Sequence, residues 1–152
     1  AGLRDQAMVD ALANRLLDRL FLEQFTAQGL ANSAWGLATL GCRNAMVVQA
    51  LEERAHSPNI LQTFNAHYLG RLMWAFGSFG VDGRKFLRVA ERLLLEGNLL
   101  SGLNAEELTQ VALASAALGS NNRQLGDAIA EHASNPDVLS TCSGAQVMDL
   151  AC

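Results

Sequence analysis

FTAQGLANSAWGLATLG, Phe25 to Gly41, lies in register over FNAHYLGRLMWAFGSFG, Phe64 to Gly80, and over LNAEELTQVALASAALG, Leu103 to Gly119. The offset is 39 residues each time, with no insertion. Self-similarity at one fixed period of this size marks a chain built from stacked supersecondary units. A truncated copy, CSGAQVMDLAC, follows from Cys142. The register also runs backwards: Gly2 aligns with Gly41, Gly80 and Gly119, and Phe21-Leu22 aligns with Ile60-Leu61, Leu99-Leu100 and Val138-Leu139. The expected division is a partial unit 1–24, full units 25–63, 64–102 and 103–141, and a partial unit 142–152 of a single solenoid segment.

Each unit opens on a helix-start signal. Thr26, Asn65, Asn104 and Ser143 are good N-caps, whose side-chain oxygens accept from free first-turn amides and contribute about 1 kcal/mol each. Phe25, Phe64, Leu103 and Cys142 precede them, and Leu30, Leu69, Leu108 and Val147 follow five residues later, the spacing of a hydrophobic staple. Glu107 completes a capping box with Asn104. A glycine then closes each helix, because only glycine enters the left-handed region at no steric cost. The spacing predicts a first helix, A, near 27–40, 66–79 and 105–118, and a second, B, near 44–56, 83–96 and 122–134.

Helix B repeats its apolar residues at matching places: Met8, Val47, Phe86 and Leu125, then Leu12, Leu51, Ala90 and Ile129. Four residues apart, they share one face. Gln49, Glu52, Glu53, Arg54, Arg88, Glu91, Arg92, Asp127 and Glu131 lie between them and read as a solvated outer face. Ser57-Pro58-Asn59, Gly97-Asn98 and Asn135-Pro136-Asp137 end the helix, and the short apolar pair leads to the next staple. Helix A is apolar around most of its circumference, as an inner helix must be. Trp35, Trp74 and Leu113 share one place in it and are expected to pack, so that Trp35→Ala would cost about 3–5 kcal/mol if buried.

Composition agrees with an all-α chain. Half of the 152 residues are hydrophobic, 17% are charged, 6% are aromatic and only two are proline. That is the make-up of packed helices, not of sheets or disorder. No apolar run approaches the ~18 residues of a membrane span, and the N-terminus lacks the order of a secretion signal, so a soluble chain without membrane insertion is expected. Cys42, Cys142 and Cys152 are odd in number and lack metal spacing, which fits incidental thiols in a reducing compartment.

Catalytic chemistry is not visible. His56, His67 and His132 occupy different places in the unit and have no Cys, Asp or Glu at ligand spacing, so no metal is expected. Glu106-Glu107 sits in a first turn, where the helix dipole favours negative charge without any catalytic role. There is no phosphate-cradling loop or nucleophile motif. No enzyme activity, catalytic residue or cofactor is expected.

A polar row stands out on helix A. Asn32, Arg71, Gln110 and Asp149 occupy one place, with Gln28, His67, Glu106 and Ala145 one turn earlier on the same side. Polarity is kept while identity varies. Gly36, Ala75 and Ala114 follow one turn later and would leave room for a ligand. One reading is the solvated edge of helix A; the other is that each unit presents a variable hydrogen-bonding side chain to one base of a single strand, as RNA-reading repeat proteins do. Gln28, Asn32, His67, Arg71 and Gln110 are the candidate RNA-binding residues.

The string QGLANSAWGLATLG, Gln28 to Gly41, resembles the first helix of the octotricopeptide repeat proteins, relatives of the heptatricopeptide and FAST-kinase-like repeats of organelles. Leu69, Trp74, Ala75 and Gly80 keep part of the pattern in the second unit, while Leu113 replaces the tryptophan in the third. The Pro-rich stretch frequent in that family is missing. The resemblance implies a right-handed-type α-solenoid of helix-turn-helix repeats that binds single-stranded or ribosomal RNA in a chloroplast or mitochondrion. The alternative is a protein-binding scaffold subunit of a large organellar complex, such as a ribosome or photosynthetic assembly. It is favoured by the net charge of −4 and by Arg71 as the one strong cation of the row, since few neutralised phosphates bring little counterion release. Met8, Leu12 and Leu16 at the front, and Val147, Leu150 and Ala151 at the back, lack polar caps. The expectation is a segment of a longer solenoid or one clamped by other subunits.

Overall fold

A computed structural model of the chain describes residues 3–80 and 82–140. Among them every regular element is helical: α1 (Leu3–Leu16), α2 (Arg19–Glu23), α3 (Ala27–Thr39), α4 (Ala45–Ala55), α5 (Pro58–Leu61), α6 (Ala66–Phe79), α7 (Arg84–Glu96), a 3-10 turn (Leu99–Gly102), α8 (Ala105–Ala117), α9 (Arg123–Ala133) and α10 (Pro136–Leu139). None of these helices is long and apolar enough to cross a membrane.

The three A helices, α3, α6 and α8, start where their caps place them. Thr26 Oγ1 accepts from the Gly29 amide at 3.2 Å, and Asn65 Oδ1 accepts from Tyr68 at 2.8 Å. Asn104 Oδ1 accepts from Glu107 at 3.0 Å, while Glu107 Oε2 accepts in return from the Asn104 amide at 3.0 Å. Gly41, Gly80 and Gly119 end these helices at φ values of 73°, 68° and 77°, a left-handed backbone that a side chain would strain. The B helices, α4, α7 and α9, also fall within two residues of their expected bounds. The calls on Gly2, Asp149, Ala145 and the unit from Cys142 lie outside the described residues.

The short apolar pairs are not simple linkers. Phe21-Leu22, Ile60-Leu61, Leu99-Leu100 and Val138-Leu139 each lie in a one-turn helix, α2, α5, the 3-10 turn and α10 respectively. Pro58 and Pro136, read as stops, stand at the first turn of α5 and α10. There the missing amide costs nothing and the fixed φ suits the helix. Leu22, Ile60 and Leu100 are thereby turned into the core.

Packing follows residue size. Ala31 and Ala34 on α3 are fully buried and let α6 approach. On the other side of α6, a Cβ at Gly70 would come within 3.1 Å of Val111, and one at Gly77 within 3.3 Å of Ala117. The A helices therefore form a tight layer with α6 in the middle, while α4 and α7 meet sparingly. The B helices close the other side of the core: Phe86 of α7 sits 4.9 Å from Phe76 of α6, ring centre to ring centre, and both are fully buried.

Two residues expected on the solvated face of helix B are instead buried, Arg54 and Glu91, each 8% exposed. Arg54 donates to the carbonyls of Leu22 (3.1 Å), Glu23 (2.7 Å) and Phe25 (3.0 Å) and to Asn59 Oδ1 (3.2 Å). It thus supplies the donor for the Glu23 and Phe25 carbonyls where α2 ends, while the Leu22 carbonyl also accepts from the Phe25 amide. Glu91 accepts from the Ser120 hydroxyl and, at 3.1 Å, from Asn122 Nδ2. Both charges are buried because each is hydrogen-bonded.

Candidate functional site

The polar row lies along one outward strip of the A-helix layer. Residues 28, 32, 35 and 39 of α3 fall on one face by helical spacing, and Gln28, Asn32, Trp35 and Thr39 are all exposed. The same places on α6 hold His67, Arg71, Trp74 and Ser78, of which the first three are half-buried. On α8 they hold Glu106, Gln110, Leu113 and Ala117, with Gln110 half-buried and the others exposed. Three adjacent helices thus offer a grid of twelve side chains.

The structure joins some of these residues across helices. Arg71 Nη1 donates to Asn32 Oδ1 at 2.7 Å. The same guanidinium lies 5.5 Å from the centre of the Trp35 ring, a cation–π approach. Trp35 and Trp74 stand 6.4 Å apart, centre to centre, with their planes tilted by 41°. Asn32, Arg71, Trp35 and Trp74 therefore form one cluster. His67 is tied elsewhere: its Nδ1 contacts Glu107 of α8, and its ring lies 5.7 Å from Tyr68. Gln28 and Gln110 flank the cluster along the strip.

Two expectations need correcting. Trp35 is 42% exposed and Leu113 is 52% exposed, so these places do not simply pack. The physical reason is angular: Leu30, Ala34 and Leu37 are the buried face of α3, and a residue one step past Ala34 is turned about 100° away from it. The large stability cost attached to a buried Trp35 does not apply to an indole so exposed. Ala75 and Ala114, expected to leave space for a ligand, are themselves buried. Ala114 faces α6, where its carbonyl lies 3.9 Å from a Cβ built on Gly77. The space they leave admits the neighbouring helix. At Gly36 nothing lies within 4 Å of a built Cβ.

The expectation of packing holds in part for Trp74, which is half-buried against the core, and fails for Trp35, which is a surface group. The available signal was their distance from the polar row: Trp35 follows Asn32 by three residues, and Trp74 follows Arg71 by three, which puts each pair on one face.

Chemically the strip is an aromatic and hydrogen-bonding surface of low charge. Arg71 is its single Arg or Lys, Glu106 is its single carboxylate, and no acid or base is poised beside a nucleophile. Among the described residues no group of three His, Cys, Asp or Glu side chains is placed to hold a metal. Compared with family models, with curated proteins and with solved structures, the chain gives no match.

Proposed function

We propose that this chain is a segment of a right-handed-type α-solenoid of 39-residue repeats, and that it is a binding module for single-stranded RNA using the outward strip of its A helices. One observation carries the reading: an indole pair, Trp35 exposed and Trp74 half-buried, shares a surface with a row of hydrogen-bonding side chains, Asn32, Arg71 and Gln110. Unstacked bases are recognised by aromatic faces together with polar groups that reach base edges. The equal spacing of the helix starts at Ala27, Ala66 and Ala105 and the tight A layer beside a looser B layer support a stacked, curved array. The resemblance of helix A to octotricopeptide repeats supports RNA as the ligand and an organelle as the setting.

The low charge of the strip sets the expected thermodynamics. With Arg71 as its one strong cation, binding to a single strand should weaken with salt at a log–log slope no steeper than about −0.7. Anisotropy titrations of single-stranded and double-stranded RNA between low and physiological salt test this. Tight single-strand binding with a shallow slope is the expected result. A steep slope would move the site off this strip, and no binding would remove the reading.

A second reading has its own observation. Met8 and Leu12, one turn apart on α1, are each 48% exposed, whereas Val47, Leu51, Phe86 and Ala90 at the corresponding places are fully buried. Exposed apolar side chains on one face favour a protein neighbour, as in a scaffold subunit of an organellar complex. Replacing both by Glu would then abolish incorporation into the complex without altering RNA affinity.

A further inference from the structure

We propose that Trp35, Trp74, Arg71 and Asn32 form a single-nucleotide subsite selective for guanine. The inference rests on the RNA reading of the strip and names what one part of it takes.

The aromatic half of the subsite supplies stacking. Trp35 and Trp74 come from adjacent helices, 6.4 Å apart and tilted by 41°, so their faces are not closed against each other in a parallel stack. Trp35 keeps two-fifths of its surface open to solvent. A base laid on this platform covers indole surface that the described residues leave open, and such stacking is tolerant of base identity because every base has a π-face. Stacking alone therefore gives affinity without selection.

The polar half supplies the selection. Arg71 Nη1 donates to the Oδ1 atom of Asn32, which fixes one end of the guanidinium and leaves its remaining N–H groups for a ligand. The guanidinium offers donors and no acceptor. Arg71 is also held in place twice, by Asn32 and over the Trp35 ring, so its fork is oriented before a ligand arrives. A donor-only fork beside a stacking platform matches a base edge carrying two adjacent acceptors. Guanine has that edge in O6 and N7, whereas adenine places the N6 donor beside N7 and cytosine offers its N4 donor. Adenine in the same seat would bring its amino group against the guanidinium and lose the paired acceptors, which lowers its affinity relative to guanine.

The chain carries only two tryptophans, and both lie in the subsite, so intrinsic fluorescence reports on it directly. The experiment titrates the full chain with short oligouridines carrying one central G, A or C, alongside uniform oligouridine. The expected result is tryptophan quenching by all of them, with the G oligomer bound about tenfold more tightly than the A oligomer. Arg71→Lys, which keeps the charge and loses the fork, should abolish that preference while the oligomers still bind. Trp35→Phe should preserve the preference, and Trp35→Ala should weaken all four oligomers alike, with circular dichroism confirming that each variant remains helical. Equal affinity for G and A, or a preference that survives Arg71→Lys, overturns the guanine subsite and leaves RNA binding standing; in that case Arg71 meets a phosphate. Binding without tryptophan quenching places the strand elsewhere and also overturns the subsite. Failure of every oligomer to bind overturns the subsite and the RNA reading together.

Discussion

Helices α4 and α7 occupy corresponding places 39 residues apart, yet they are fastened in opposite directions. On α4 the buried charge is Arg54, and it reaches back to the carbonyls of Leu22, Glu23 and Phe25 at the end of α2. On α7 the place of Arg54 is taken by Leu93, and the buried charge is Glu91, which reaches forward to Ser120 and Asn122 ahead of α9. The counterpart of Glu91 on α4 is Glu52, and its Oε1 is buried without a hydrogen-bond partner. In sequence, Val81 and Gly83 stand where Ser120 and Asn122 stand, so the hydroxyl and the amide that satisfy Glu91 have no equivalent for Glu52. The seam between α4 and α7 therefore has neither fastening, and a cleft of about 560 Å³ opens there beside Gln49, Glu52, Glu53, His56, Asp82 and Lys85. Equal places in the sequence register do not imply equal polar anchors, and the described helices are bound unevenly along the chain.

Removing the backward fastening should have the largest effect. Arg54→Met keeps most of the buried stem but leaves the Glu23 and Phe25 carbonyls without their donor, a loss of about 3 kcal/mol given the usual cost of buried unsatisfied groups. Chemical denaturation measures it, and a change below about 0.5 kcal/mol would show that water replaces the guanidinium. Next comes the forward fastening. Glu91→Ala should cost about 2 kcal/mol, and a double-mutant cycle with Asn122→Ala should reveal coupling between the two, because they touch. Additive losses would break the claim that Glu91 acts through that loop.

The unanchored counterpart should behave with the opposite sign. Glu52→Gln removes the carboxylate charge from a site that gives one of its oxygens no donor, so stability should hold or rise by about 1 kcal/mol. Destabilisation matching that of Glu91→Ala would erase the contrast between the two helices. The smallest effect concerns the same seam at its solvent edge. The Arg84 guanidinium, which donates to both oxygens of Asp82 at 2.7 Å, holds that carboxyl at about 2. A carboxyl depressed on folding adds stability above its ordinary range near pH 4, and this is lost as pH falls towards 2. Both groups are exposed, so the contribution is minor. An NMR titration should find the Asp82 carboxyl back in the ordinary range in Arg84→Gln.

Much of the molecule was legible along the chain because its signals are local. The caps Thr26, Asn65 and Asn104 and the closing glycines Gly41, Gly80 and Gly119 each act within a few residues of themselves. For that reason the three A helices and three B helices from α3 to α9 could be placed from the 39-residue register alone. The outward strip was half legible. Its polar row followed from the spacing of Asn32, Arg71 and Gln110, but the exposure of Trp35 beside it was not legible, because it depends on the angle at which neighbouring helices meet.

By itself the sequence determined the helices, their ends and the alignment of equivalent places, since capping, staples and left-handed glycines depend on short-range sterics and hydrogen bonds. Only the tertiary structure decided which apolar residues remain at the surface, which charges turn inward, and that Asn32, Arg71, Trp35 and Trp74 meet. Those outcomes depend on how closely two helices approach, which is set jointly by Ala31, Ala34, Gly70 and Gly77 and the residues facing them from another part of the chain. Glu52 and Glu91 show the same division: their shared place in the register was readable from the residues, while burial and partnership were settled by the loop each helix happens to face.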